Sequence, residues 1–439
     1  MMDNLLTFPK VLIISHNALS STNNMGKTLE SYFKKFPKSC LAQLYFHEGT
    51  PDSDICDRFY SFSDRDALYS IFNRSFRGVA YNGGKCKVTF CKQASKSEVY
   101  YSVGKKRKPA VMLARDFIWK ISNVRNKRLI SWVNEFDPDI IFFASGDYSF
   151  SYKMALFLSK KISKPLAICC FDDFYLYCNY KKQFCGKIYY HHFMKVVRKA
   201  FEYSNCLFAT NELMAQEYAT FFKRNFSILY TAADFEEKVK YEDKKGICYL
   251  GGLNLNRYET IIQIGMMLRK YFSNDENLNH INVYSNEQSP EILKEMTISN
   301  GIVFRGYVDA VQTKKIIAHS LAVVHVESFD QNFRQRTKLS LSTKIAESLA
   351  SGTVLIALGP QEIASMQYLK KYNAAILSDN IEDLKNKLFR DLLNKNQYMQ
   401  IVSNALNLAK QNHNADRINK VIVNELKNAI HSYNKGVLN

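Results

Sequence analysis

The sequence predicts an α/β protein of two domains, each carrying a largely parallel sheet. Three observations lead there. Short apolar or β-branched runs alternate with helical patterns along most of the chain. The 439 residues exceed what one hydrophobic core usually supports. A charged stretch from Glu236 to Lys245 divides the alternation into two series. A hydrophobic content of 46% and an aromatic content of 13% belong to a chain that folds, which excludes a disordered tail or linker protein.

The first series opens with Lys10-Val-Leu-Ile-Ile-Ser15, a buried strand, followed by the polar loop His16 to Asn24 and a helix from about Gly26 to Phe33. Within that loop, Ser21-Thr-Asn-Asn-Met-Gly-Lys27-Thr28 imitates a P-loop. It has Ser21 where the phosphate-wrapping turn needs glycine, which argues against an ATPase. Further strands are expected at Leu41–Phe46, Ile140–Ala144, Leu166–Phe171, Leu207–Thr210 and Ile228–Tyr230. Helices are expected at Phe117–Trp132, Ser151–Lys161, Met194–Tyr203 and Glu212–Phe222. The segment from about Asn73 to Pro109 fits the alternation poorly. Its Lys105-Lys-Arg-Lys108 cluster and its aromatics Tyr81, Phe90, Tyr100 and Tyr101 suit lipid headgroups or a phosphorylated acceptor, and equally a solvated loop.

Four acidic sites have to be sorted. Asp64-Arg-Asp66 and Asp137-Pro-Asp139 spell a metal–diphosphate triplet, but Asp137 and Asp139 precede a strand and read as strand-entry residues. Asp172 and Asp173 follow the strand Leu166–Phe171, so they point to the carboxyl edge of the sheet. An acceptor contact or general base is one reading, and a loop cap is the other. Asp147, after Ala144-Ser-Gly146, stands in the same position.

The second series begins with Ile247-Cys-Tyr-Leu250, runs into Gly251-Gly252 and continues as a helix from Arg257 through Phe272. Paired glycines let a backbone approach a ligand closely, and an arginine at a helix start can clamp a diphosphate with its planar fork. Ile281–Tyr284 reads as a strand, Ser289–Ser299 as a helix, Ile302–Gly306 as a strand and Thr313–Ser320 as a helix. After the strand Leu321–Val326 comes a basic loop with Arg334, Arg336 and Lys338. Then follows Ser340-Leu-Ser-Thr-Lys-Ile-Ala-Glu-Ser-Leu-Ala-Ser-Gly352, and after it the apolar run Thr353–Leu358. Hydroxyls at 340, 342 and 343 suit a helix start, and Gly352 suits a left-handed stop. Lys344, Glu347, Ser348 and Ser351 form a polar stripe opposite Ile345, Ala346, Leu349 and Ala350. In open parallel sheets, anionic ligands gather at such strand-to-helix junctions, so this stretch has the layout of a nucleotide site. An ordinary amphipathic helix with a solvated glutamate would share the pattern. A strand at Ala374–Ser378 and a long helical stretch from Asn396 to Tyr433 complete the chain.

The formal charge is +19 and unevenly spread. Residues 1–230 carry 34 Lys and Arg against 19 Asp and Glu, and the remainder 26 against 22. The excess implies an anionic partner for the first half, such as a membrane surface or an acidic acceptor. No recognised nucleic-acid module accompanies it, so no nucleic acid is expected. The ten cysteines lack zinc-knuckle spacing, no apolar run approaches the roughly 18–20 residues of a bilayer span, and no leader pattern opens the chain. The expectation is a cytoplasmic protein with reduced thiols, peripheral at most on the inner face of a membrane.

The Ser-Thr-Lys-Ile-x-Glu-x-Leu-Ala-x-Gly pattern of residues 342–352 resembles a variant found in retaining GT-B glycosyltransferases of family 4, of the bacterial surface-polysaccharide type. The resemblance implies two Rossmann-like domains facing each other across a cleft, with a C-terminal helix packing back on the first. Its boundaries would be an acceptor domain at 1–230 with a basic insertion near 73–109, a linker at 231–246, a donor domain at 247–410 and a returning helix at 411–439. It implies Ser342 and Thr343 at the donor diphosphate, Glu347 at the ribose, Arg257 beside Gly251 and Gly252 at the phosphates, and Arg305 and Gly306 at the base. Arg257, Lys338 or Lys344 would stabilise the departing diphosphate, Asp172 would serve the acceptor hydroxyl, and His16, Gly26, Asp147 and Asp173 would line the acceptor side. The reaction implied is sugar transfer from a nucleotide-sugar to a hydroxyl of a glycan or lipid-linked acceptor, with retention, without metal, and with no cofactor beyond the donor itself. One departure stands out: the family's sugar-holding glutamate, eight residues before Glu347, is replaced by Leu339, and Glu327 is at the wrong spacing to substitute. That departure leaves room for a catalytically silent GT-B scaffold, and the charge leaves room for a basic membrane- or nucleic-acid-binding α/β protein.

Overall fold

The structure is a computed structural model that describes residues 8–21, 24–83, 108–177, 184–235 and 239–438. The chain divides into two compact units. One runs to Leu229 and takes in the residues from Asn419 onward; the other is Tyr230–Ile418.

The first unit is built on an eight-stranded sheet. Its strands are β1 (Val11–Ser15), β2 (Leu41–Tyr45), β3 (Arg58–Ser61), β4 (Val79–Asn82), β5 (Ile140–Ser145), β6 (Leu166–Cys170), β7 (Cys206–Ala209) and β8 (Ser227–Ile228). Their order is β4-β3-β2-β1-β5-β6-β7-β8, parallel throughout except for the antiparallel edge pair β3–β4. Every residue of β1, β2, β5 and β6 is buried. A sheet covered on both faces demands apolar residues at successive positions, which is why these strands read as apolar runs, interrupted by Gln43 in β2 and closed by Ser15 and Ser145 in β1 and β5.

The second unit carries β9 (Ile247–Leu250), β10 (Ile281–Tyr284), β11 (Ile302–Gly306), β12 (Ala322–Val326), β13 (Val354–Leu358) and β14 (Ile376–Ser378), all parallel, in the order β11-β10-β9-β12-β13-β14. Ile247, Ile264, Leu268, Val283, Val324 and Ile356 are among the side chains that close its core. The helix Arg257–Tyr271 lies on this sheet and meets another backbone at Gly265. A Cβ there would fall 2.9 Å from the Gly301 carbonyl oxygen and nearer still to that of Asn300. Gly265→Ala is therefore expected to destabilise the unit by about 1–3 kcal/mol, although alanine alone would favour the helix by about 1 kcal/mol. Urea titration of the variant checks this, and a gain in stability would contradict the close approach.

Several expected elements differ. The single helix expected at Phe117–Trp132 is two, Pro109–Ile121 and Lys127–Phe136, because Asn126 turns its side chain onto the Leu129 N–H and caps a new start. Strands β3 and β4 occupy ground that carried no strand expectation. The helix expected at Ser289–Ser299 shrinks to Pro290–Leu293 and a 3₁₀ turn at Ile298–Asn300, since the Asn300 amide takes the Glu295 carbonyl and Ile302 N–H takes that of Thr297. The basic loop contains the helix Gln331–Thr337, capped by Asp330. The long final helix breaks at His413 into Lys395–Asn412 and Ala415–Leu438. The Lys105-Lys-Arg-Lys108 cluster, save Lys108, lies outside the described residues, as do Phe90, Tyr100 and Tyr101.

Asp66 and Ser63 close a capping box on the helix Asp64–Phe72. Asp139 accepts from the Lys10 N–H at 2.7 Å, and Asp137 pairs with Lys164 at 3.0 Å. Among the described residues no group of three or more His, Cys, Asp or Glu side chains is placed to hold a metal ion. No described helix is long and apolar enough to cross a membrane.

Candidate functional site

In the second sheet the strand order reverses between β9 and β12, which opens a crevice at their carboxyl ends. A cavity of about 260 Å³ sits there. Its wall includes Gly251, Gly252 and Arg257 after β9, Tyr284 to Asn286 after β10, Tyr307 and Val308 after β11, and His325 on β12. Ser342, Lys344, Ile345, Glu347 and Ser348 of the helix Thr343–Ala350 complete it.

Each side chain is held there for a local reason. Gly251 lies beneath the Lys344 ammonium: a Cβ at 251 would fall on Lys344 Nζ and 3.1 Å from the Tyr249 hydroxyl, so glycine makes the space that Lys344 occupies. The Tyr249 hydroxyl donates to the Gly252 carbonyl at 2.7 Å and fixes the turn. Arg257 is the first residue of its helix and extends its guanidinium to Glu327 Oε2 at 3.3 Å. Glu327, just past β12, is 2% exposed. The Ser365 hydroxyl donates to its Oε1 at 2.9 Å, and His325 Nε2 lies 3.2 Å from the same oxygen. Burial opposes ionisation of this carboxyl, but His325, Arg257 and Ser365 outweigh burial and hold it below the usual carboxylate range. Glu327 thus supports Arg257 and His325 from behind and is not itself a wall residue. Leu339, where the resembled family has a carboxylate, is fully buried.

Ser342 is the N-cap residue of the helix Thr343–Ala350, yet its hydroxyl is not spent on the helix's own N–H groups and lines the cavity instead. Such a helix start offers backbone donors and the positive end of the helix dipole to an anion. Glu347 stands one turn further in, half-buried on the wall.

Of the residues singled out from the sequence, the fold brings Gly251, Gly252, Arg257, Ser342, Lys344 and Glu347 to one cavity. Thr343, Lys338, Arg305 and Gly306 do not line it. Thr343 is exposed, Lys338 is half-buried in the turn after Gln331–Thr337, and Arg305 turns to Asn282 on the neighbouring strand at 2.9 Å. Gly306 adopts φ 75° at the end of β11 and so brings Tyr307 to the rim, where Arg305 had been expected. Tyr307 was expected there as a neighbour of Gly306, whereas His325 and Tyr284 were missed. The signal for His325 was present: one polar side chain interrupts an apolar strand at its carboxyl end, next to a loop.

The residues expected on the acceptor side lie in the first unit. Its sheet reverses order between β1 and β5. His16, after β1, has its ring 4.8 Å from that of Tyr148, after β5, and 5.6 Å from that of His47. Arg115 lies over the Tyr148 ring at 3.8 Å and pairs with Asp64 at 2.8 Å. Gly26 lets its helix lie against the loop before it: a Cβ there would fall 2.9 Å from the Ser20 side chain and closer to the Ala18 carbonyl. Asp147 is buried, and its carbonyl accepts from the Tyr189 hydroxyl. Asp172 is exposed at the end of β6. Asp173 is occupied as a loop anchor, accepting from the N–H groups of Tyr175, Leu176 and Tyr177 and from the Tyr218 hydroxyl at 2.8–3.1 Å.

No protein-family model matches the chain, and no curated protein matches it in sequence. Solved structures match along almost the whole length. HepE (Alr3699) of Anabaena in complex with UDP superposes with a TM-score of 0.60 at 12% identity, over 95% of this chain and 99% of that one. α,α-Trehalose 6-phosphate synthase from Burkholderia multivorans gives 0.59 at 9% identity, over 97% and 99%. A TarM variant of S. aureus, in complex with fondaparinux, α-GlcNAc-glycerol and UDP, gives 0.59 at 10% identity, over 95% and 99%. The fold is GT-B. Within it the cavity described above belongs to the C-terminal half, and the His16–Tyr148 ring cluster to the N-terminal half.

Proposed function

We propose that this protein is a glycosyltransferase that binds a nucleoside diphosphate sugar in the cavity at the β9/β12 crevice. It transfers the sugar to a hydroxyl of a glycan or lipid-linked acceptor, with retention and without a metal. The observation that carries this reading is the convergence of the Gly251-Gly252 turn, Arg257, Lys344 and the Ser342 helix start on one cavity, with Glu347 one turn deeper. Donors from a turn, two cations and a helix start suit a diphosphate, and a carboxylate beyond them suits the vicinal hydroxyls of a ribose. The fold likeness supports it, as two of the similar structures contain UDP.

In this reading the site's main task is to receive charge that develops as the sugar–phosphate bond breaks. Arg257 and Lys344 offer directed donors, and Glu327 holds Arg257 in place beforehand. Tyr307 at the rim offers a face to the base. Acceptor binding falls to the His16, His47 and Tyr148 cluster, with Asp172 as an exposed carboxylate on that sheet edge. The 342–352 pattern, with the Gly251-Gly252 turn and Arg257 before it, supports family 4 membership, and the basic first half supports a role in surface-polysaccharide assembly.

Calorimetry with UDP, GDP, ADP and CMP tests the donor site. One diphosphate should bind saturably, and Glu347→Ala should weaken it about 10-fold or more, the loss of a charged hydrogen-bond acceptor. Absence of binding to all four would overturn the reading. The buried Leu339 favours a second one, a silent GT-B scaffold. Nucleotide binding without hydrolysis or transfer of the matching sugar to any acceptor would select it.

A further inference from the structure

Two neighbouring helices of the first unit each turn large apolar side chains outward. In the helix Asp64–Phe72 the buried positions are Ala67 and Ser70, whereas Leu68, Tyr69 and Phe72 are 41%, 51% and 84% exposed. The helix Pro109–Ile121 packs against it: Asp64 Oδ1 accepts from Arg115 Nε and Trp119 Nε1, and Arg74 donates to the Ile121 carbonyl at 3.0 Å. On this helix Arg115 and Asp116 turn inward beside the buried Met112 and Trp119. Asp116 is buried against Ser149, Lys153 and His192, and Arg115 lies over the Tyr148 ring. The opposite stripe, at the 3.6-residue period, is Ala110, Leu113, Ala114, Phe117 and Ile121; Phe117 is 60% exposed. A surface helix normally shows water its polar side, so an outward apolar stripe on two adjacent helices marks a surface made to be covered.

The charges say by what. Exposed Arg65, Arg74, Lys108 and Lys120 flank the apolar residues, while Asp64 and Asp66 are committed to Arg115 with Trp119 and to the Ser63 cap. A second copy of the chain seated on this face would bring the same cations opposite themselves. Protruding aromatic and aliphatic side chains ringed by lysine and arginine match the boundary of an anionic bilayer, where apolar groups enter the acyl region and cations meet headgroup phosphates. We infer that the face formed by the helices Asp64–Phe72 and Pro109–Ile121 docks the protein on an anionic lipid surface, with Phe72 and Phe117 as the inserting residues.

Sedimentation with vesicles tests this, using phosphatidylcholine alone and phosphatidylcholine with about 30% phosphatidylglycerol at about 0.1 M salt. The full chain should bind the anionic vesicles and not the neutral ones. Phe72→Ser/Phe117→Ser should weaken binding about 10-fold or more, as should Lys120→Glu combined with Arg65→Glu, and about 0.5 M salt should weaken the native protein. The exposed phenylalanines carry no core packing, so each variant should keep the native thermal midpoint and the native affinity for whichever diphosphate binds. Failure of nucleotide binding in the native protein would count against the donor site and leave the lipid face standing. Three results would overturn the lipid face: no binding to anionic vesicles, equal binding by the double serine variant, or a native dimer that the double serine variant converts to monomer.

Discussion

Replacing Arg257 with alanine is expected to lower nucleoside diphosphate affinity about 10- to 100-fold and the free energy of unfolding by about 2–4 kcal/mol. The two losses have one origin. Arg257 faces the cavity on one side and Glu327 on the other, at 3.3 Å. Without the guanidinium, a carboxylate that is 2% exposed keeps only His325 and Ser365. Burial then pushes its pKa upward, where now it is held low. The sign follows from linkage. A carboxyl held below its unfolded value contributes stability at neutral pH that is lost as pH falls through the folded value, so the native protein should lose this contribution only below about pH 4.5, the ordinary glutamate value. Lys344→Ala supplies the contrast. Lys344 is an exposed residue above Gly251, so its loss should weaken nucleotide binding about as much and leave unfolding unchanged. Calorimetry and urea unfolding on both variants check the pair. Equal stability losses, or an affinity loss in neither, would show that Arg257 and Lys344 do not share the role assigned to them.

The second large effect is a pH dependence of stability centred on His413. Its ring is buried beside Tyr230 and Tyr368, with Nδ1 2.7 Å from the Thr231 carbonyl and Nε2 2.9 Å from the Tyr368 hydroxyl. A neutral ring satisfies both contacts, donating from Nδ1 and accepting at Nε2. Burial pushes the pKa down to about 4, against a smaller opposing effect of the Thr231 carbonyl. The unfolded chain therefore takes up a proton near pH 6.5, and the folded one only near 4. Stability is fully present above pH 6.5 and is lost steadily as pH falls from there to about 4, by about 3 kcal/mol in all. Urea unfolding at pH 7, 5.5 and 4.5 should trace that slope in the native protein, and His413→Gln should flatten it from a lower starting value. Parallel slopes would assign the loss to other groups.

The same histidine shows where the sequence stops being legible. Within residues 396–433 Asn414 marks a new helix start by capping the Arg417 N–H at 3.1 Å, but nothing local announces the contacts that hold His413 at the break, the Thr231 carbonyl and the Tyr368 hydroxyl, both far away in the chain. The helix Glu212–Phe222 and the strands β10 and β11 could be read to the residue, since each sits between turn or cap residues and repeats one period throughout. β3 could not: Arg58-Phe-Tyr-Ser61 is four residues long and borrows its place from β2 and β4. The site divides in the same way. Gly251, Arg257, Ser342, Lys344 and Glu347 were visible because each stands at a junction the local sequence marks. His325 and Tyr284 reach the cavity only because the sheet places the ends of β12 and β10 beside that of β9. Asp173 was ambiguous in sequence and is accounted for by its own loop.

The pairing behind the cavity has a kinetic consequence. Arg257 and Lys344 are matched in formal charge by Glu327 and Glu347, so these four side chains present donors aimed at a diphosphate without adding net charge of their own. These four groups would do little to draw a nucleotide in from a distance; they would recognise it on contact. Any dependence of its association rate on ionic strength should therefore come from the rest of the chain, which carries the whole formal charge of +19, and not from these four groups.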